Sequence, residues 1–118
     1  MRHGNYKNHL GLNTTHRKAL LRNLSIELID HGKVKTTASK CKALKPYFEK
    51  LVTLAKEDTL ANRKLAISKI NNASAVKALF ENVAPKFKTR NGGYTRILKI
   101  SDTRVGDGAP MGIIALVE

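Results

Sequence analysis

The side chains able to do chemistry in this chain are four histidines, one cysteine, nine carboxylates and 22 lysines and arginines. His3, His9 and His16 are separated by six and seven residues, a spacing that does not gather metal ligands on one helical face, so no metal site is expected. Cys41 sits in an apolar stripe and reads as a small buried hydrophobe rather than a nucleophile. The carboxylates are scattered, and Asp58 of the Glu57–Asp58 pair is better used as a helix cap. No serine occupies a nucleophile elbow. Gly106–Asp107–Gly108 is neither a phosphate loop nor a dinucleotide fingerprint. No catalytic site, cofactor or small-molecule substrate is therefore expected. What remains is the chemistry of cations toward phosphate.

That chemistry is concentrated. The first 26 residues hold Arg2, Lys7, Arg17, Lys18 and Arg22 among three histidines, with no acid. A second acid-free run between Glu81 and Asp102 carries Lys86, Lys88, Arg90, Arg96 and Lys99. The net charge is +13 over 118 residues, and such a surface repels itself unless a polyanion is present. Nucleic acid fits best, because neutralised phosphates release condensed counterions and binding follows without base contacts. With no Trp, three Tyr and three Phe, phosphate and shape contacts are favoured over a stacking platform. Lys45, Lys50, Lys56 and Lys64 read instead as solvated faces of helices. Arg96 suits either a phosphate or an internal ion pair, and Tyr94 either a base or the core.

The elements that position these groups follow from pattern. Residues 1–13 read as an extended basic arm that orders only on a partner. Thr14 or Thr15 caps a first helix bearing Leu20, Leu21, Leu24 and Leu28, and Gly32 ends it. Lys33 to Thr37 alternates and is a short strand. A second helix starts at Thr37 or Ser39, with Cys41, Leu44, Phe48, Leu51, Val52 and Ala55 on one face. Pro46 predicts a kink or broken turn within it. Asp58 or Thr59 caps a third helix that runs to Ile70 and breaks at Asn71–Asn72, and a fourth spans Ala73 to Ala84 and stops at Pro85. A basic loop follows, then strands over Tyr94–Ile100 and Met111–Val117, joined as a hairpin. The expected fold class is α+β: one two-layer domain over residues 14–118, about four helices on a small three-stranded mixed sheet. No apolar run is long enough to span a bilayer, and the polar N-terminus does not read as a signal peptide, so use in the compartment of synthesis is expected.

Several motifs, in order, resemble the bacterial large-ribosomal-subunit protein L-seventeen family. They are Met1-Arg2-His3; Leu10-Gly11 with His16-Arg17-Lys18-Ala19 and Arg22-Asn23-Leu24; Lys35-Thr36-Thr37 with Lys40 and Lys42; Glu49 and Leu51 to Lys56; Asn62-Arg63; Pro85, Arg90 and Gly92 to Ile97; and Gly106-Asp107 with Ala109-Pro110-Met111. The resemblance implies a cytoplasmic, non-catalytic constituent of the large ribosomal subunit. It implies binding to large-subunit ribosomal RNA on the outer surface near the polypeptide exit tunnel, beside neighbouring ribosomal proteins. It carries RNA contact onto Arg2, His3, His16, Arg17, Lys18, Arg22, Asn23, Lys35, Thr36, Thr37, Lys40, Arg63, Arg90, Tyr94 and Arg96. Charge and position add Lys7, Lys33, Lys86 and Lys88. Leu12, Cys41 and Pro46 depart from the family pattern. The alternative is a nucleoid-type DNA-binding module that presents Lys18, Arg22 and Asn23 of the first helix to a major groove.

Overall fold

The structure, a computed structural model, describes residues 13–117, without the side chains of Ser101 and Asp102. The expected arm, with Arg2, His3 and Lys7, lies outside the described residues except for Asn13. That residue belongs to the folded domain: its Oδ1 accepts the His16 backbone N–H at 2.9 Å, so Asn13 caps α1 (Thr14–His31) in place of Thr14 or Thr15. An amide side chain one residue earlier satisfies a free backbone N–H of the first turn as well as a hydroxyl does.

Gly32 ends α1 at φ +78°, its N–H returning to the Leu28 carbonyl at 2.8 Å. The chain turns there straight into β1 (Lys33–Thr37) and then α2 (Ala38–Ala55). A Cβ at Gly32 would meet nothing within 4 Å, so Gly32→Ala carries only the left-handed backbone penalty. Chemical denaturation is expected to register a loss of about 1–2 kcal/mol, with no change in the core.

All six residues of the apolar stripe on α2 are buried, and Phe48, Leu44 and Val52 lie at the centre of the core. The helix runs on through Pro46, so of the expected kink or broken turn the broken turn does not form. Pro46 is exposed, as is Lys42, whose carbonyl loses its helical donor to the proline. Burial pushes the Cys41 thiol above its ordinary value, in keeping with an inert core residue. Thr59 caps α3 (Leu60–Ile70) by accepting the Asn62 N–H, and Asn71 closes it at φ +58°. Asn72 in turn caps α4 (Ala73–Ala78).

The fourth helix does not stop at Pro85. After α4 it widens into a π segment (Leu79–Val83) and tightens into a 3-10 turn (Ala84–Phe87) that takes in the proline. Pro85 has no N–H and its ring crowds the carbonyl four residues back; the wider turn before it and a place early in the 3-10 turn relieve both demands. Val76, Leu79, Phe80 and Val83 remain buried through the change of winding.

β2 (Thr95–Thr103) and β3 (Pro110–Leu116) form the hairpin. Its turn is held by the Arg104–Asp107 ion pair, whose guanidinium holds the Asp107 carboxyl down to about 2. The sheet order is β1-β3-β2, and the sheet is antiparallel throughout rather than mixed. The Leu116 N–H donates to the Gly32 carbonyl at 3.0 Å, so the end of β3 lies at the start of β1 and the two must run in opposite directions. One row of the sheet, Val34, Ile114 and Ile97, faces the helices. The result is two layers, helices on one face of a small sheet. No helix among the described residues is long and apolar enough to cross a membrane.

Candidate nucleic-acid interface

The fold gathers cations from three distant stretches of chain into one recess. α1 delivers His31 at its last turn, Gly32 turns Lys33 outward at the head of β1, the 3-10 turn supplies Lys86, and β2 supplies Arg96. Together with the C-terminal end of β3 they line a cleft of about 610 Å³. No carboxylate lines it among the described residues. Lys33, Lys86 and Arg96 are exposed at its rim, and no ion pair of the described residues engages any of them. Four cationic or titratable nitrogen groups around one open recess raise the local potential, which suits a phosphate better than any neutral ligand. His31 has no cue in the sequence beyond its place beside a helix-ending glycine; the sheet register alone brings it to Arg96.

A second basic recess, of about 180 Å³, lies at the other end of α1. Arg17, Lys50 and Lys69 line it with Tyr47 and Pro46. Arg17 and His31 are 14 residues apart on one helix, so the two recesses stand about 21 Å apart along α1. The structure therefore does not merge the Arg17, Lys18 and Arg22 group with the cleft. Arg22 is also partly committed: its Nε donates to the Lys69 carbonyl at 3.1 Å, and the Tyr47 hydroxyl donates to the same oxygen at 3.2 Å. Both satisfy the C-terminal end of α3, where a cation is favourable. His16, Lys18 and Asn23 are exposed on α1, Lys35 is exposed on β1, Thr36 and Thr37 are half-buried at the end of β1, and Lys40 is half-buried in the first turn of α2.

Two residues expected at an RNA surface have other partners. Arg63 makes a bidentate pair with Asp58, at 2.6 and 2.9 Å, and lies 5.1 Å from the Phe80 ring centroid. That pair holds the Asp58 carboxyl below its ordinary value, and it anchors the guanidinium at the entry of α3. Tyr94 is 2% exposed, its ring centroid 5.2 Å from that of Phe87. Of its two readings the core prevails, because the ring has no open face on which a base could stack.

The Tyr94 hydroxyl instead joins a network that seats the basic loop. Thr53 Oγ1 donates to it at 3.2 Å and Lys56 Nζ at 3.1 Å. The Thr53 hydrogen bond, followed by that of Lys56, holds the phenol below its ordinary value. Lys56 Nζ also donates to the Arg90 carbonyl, so Lys56 is not a solvated helix face. The adjoining Thr95 gives its N–H and Oγ1 to the Glu49 carboxylate at 3.2 and 3.0 Å. These bonds clamp the chain on both sides of Gly92–Gly93 to α2 and leave Lys88 and Arg90 outward on the surface.

A small, strongly basic α+β domain that draws cations together from separate stretches of chain is suited to a polyanionic partner. The family described as Ribosomal protein L17 matches residues 20–117. The large ribosomal subunit protein bL17 of Persephonella marina is 54% identical over 103 residues, covering 86% of this chain and 83% of that protein. The chain belongs to the ribosomal protein L17 family. It is a structural constituent of the large ribosomal subunit, in bacteria a cytoplasmic particle, and it is not an enzyme.

Proposed function

We propose that this chain binds folded large-subunit ribosomal RNA and stabilises it, with the cleft of His31, Lys33, Lys86 and Arg96 as its main phosphate site. The observation that carries this reading is the convergence of those four side chains on one recess without a described carboxylate. The rigid helix-and-sheet body would hold converging phosphates while Lys88 and Arg90 reach an adjacent backbone. Contacts of that kind position an RNA junction without reading its sequence. The family resemblance supports a place near the polypeptide exit tunnel, beside neighbouring ribosomal proteins.

The test is the salt dependence of binding to a folded transcript of large-subunit ribosomal RNA. With about eight phosphates engaged, log K is expected to fall against log salt with a slope of roughly −6 to −7. A slope shallower than about −3, or equal preference for duplex DNA in competition, would sink the proposal.

A further inference from the structure

Helices cover one face of the sheet, and the register defines what the other face carries. Lys33, Ala115 and Arg96 share one cross-strand row, and Lys35, Ile113 and Leu98 the next. Both rows have the parity opposite to Val34, Ile114 and Ile97, which face the helices, so they point away from the core. Lys33, Lys35 and Arg96 are exposed, and Leu98 is 47% exposed. The central strand contributes only Ala115 and Ile113, both half-buried. The open face is thus a shallow apolar floor with cations at both edges, and neither row contains a carboxylate.

The dimensions fit one strand of nucleic acid. Lys33 and Lys35 stand about 7 Å apart along β1, and the outer strands lie about 10 Å apart across the sheet. The first distance is close to the step between successive phosphates on one strand. The second leaves room for a sugar between the edges. Lys33, Ala115 and Arg96 also line the cleft, so the face and the cleft are one continuous surface.

We propose that this open face is a track for RNA backbone. Phosphates lie on Lys33 and Lys35, riboses pack against Ile113 and Leu98, and the strand passes into the cleft beside Arg96. The proposal rests on the ribosomal-RNA reading and adds where the strand runs and which apolar groups it covers. Charge favours RNA over a protein partner here, because the three cations of these two rows repel the basic surfaces common among RNA-assembled proteins.

The experiment compares full-length wild type, Leu98→Asp, Lys35→Glu and the cleft variant Lys86→Glu for binding to the same folded transcript across a salt series. A photo-crosslinker at position 98 is read in assembled subunits. Leu98→Asp is expected to weaken binding about tenfold, and Lys35→Glu to reduce the salt slope by about 1. Both side chains are exposed, so unchanged thermal unfolding is the folding control. The crosslinker is expected to capture RNA. If Lys86→Glu weakens binding while Leu98→Asp and Lys35→Glu bind like wild type, the track is wrong and the ribosomal-RNA reading stands. Capture of protein alone from position 98 also overturns the track. A wild-type chain that fails to bind the transcript removes both readings.

Discussion

Reversing two charges in the cleft, Lys86→Glu with Arg96→Glu, is expected to lower affinity for folded large-subunit ribosomal RNA by about 100-fold or more at physiological salt. Each charge-assisted hydrogen bond to phosphate contributes about 1.5–3 kcal/mol, and a carboxylate in its place adds repulsion. The salt slope should shrink by about 2, one for each lost phosphate contact. Folding is the necessary control. Both side chains are exposed and neither enters an ion pair of the described residues, so stability should stay within about 0.5 kcal/mol. Filter binding with parallel denaturation measures both quantities. Wild-type affinity in a folded double variant would show that the cleft does not face RNA. Reversal at Arg17, Lys18 and Arg22 is a less direct test, because Arg22 also completes the end of α3 through the Lys69 carbonyl.

The second large effect is on stability. Tyr94→Ala is expected to cost about 3–5 kcal/mol, the range for emptying a buried aromatic site. The ring is 2% exposed against Phe87, and its hydroxyl accepts from both Thr53 and Lys56. Tyr94→Phe separates packing from hydrogen bonding. Its cost should be about 1 kcal/mol, because the one Thr53 hydroxyl proton has the Glu49 carbonyl as an alternative acceptor at 3.0 Å and Lys56 Nζ also donates to the Arg90 carbonyl. Neither donor is stranded. Since the ring cannot reach a base, Tyr94→Phe should leave RNA affinity within about twofold of wild type while lowering stability, the order of a surface-neutral change. A large loss of affinity with unchanged stability would return Tyr94 to the RNA surface.

Legibility from sequence tracks the range of each interaction. The stripe on α2 from Cys41 to Ala55, the stop at Gly32, the cap at Thr59 and the break at Asn71–Asn72 are decided within one or two helical turns, and all appear in the structure. The cap at Asn13 is displaced by one residue because neighbouring Asn and Thr side chains can fill the same role. A proline frees the carbonyl four residues back, and neither Pro46 nor Pro85 ends its helical run by doing so. At Pro46 that carbonyl belongs to an exposed residue, and at Pro85 the chain changes its winding.

The candidate site divides the same way. Its cations are legible as residues, since Lys86 and Arg96 lie in the acid-free run between Glu81 and Asp102 and Lys33 stands out by type. Their convergence with His31 is not, because β3 enters the sheet between β1 and β2 and sets Lys33 and Arg96 on one row. Tyr94 and Arg63 share this limit, their fates resting on Phe87 and Thr53 in one case and on Asp58 and Phe80 in the other.

By itself, then, the sequence determined the charge, the absence of any motif-like catalytic pattern, the helices with their apolar faces, and the family motifs in order. All of these depend on residue type and on neighbours a few positions away. Only the tertiary structure decided which cations share a recess, which are held by internal partners, and which face of the sheet stays open. Those outcomes depend on strand order and register, and register depends on contacts between residues as far apart as Lys33 and Ala115.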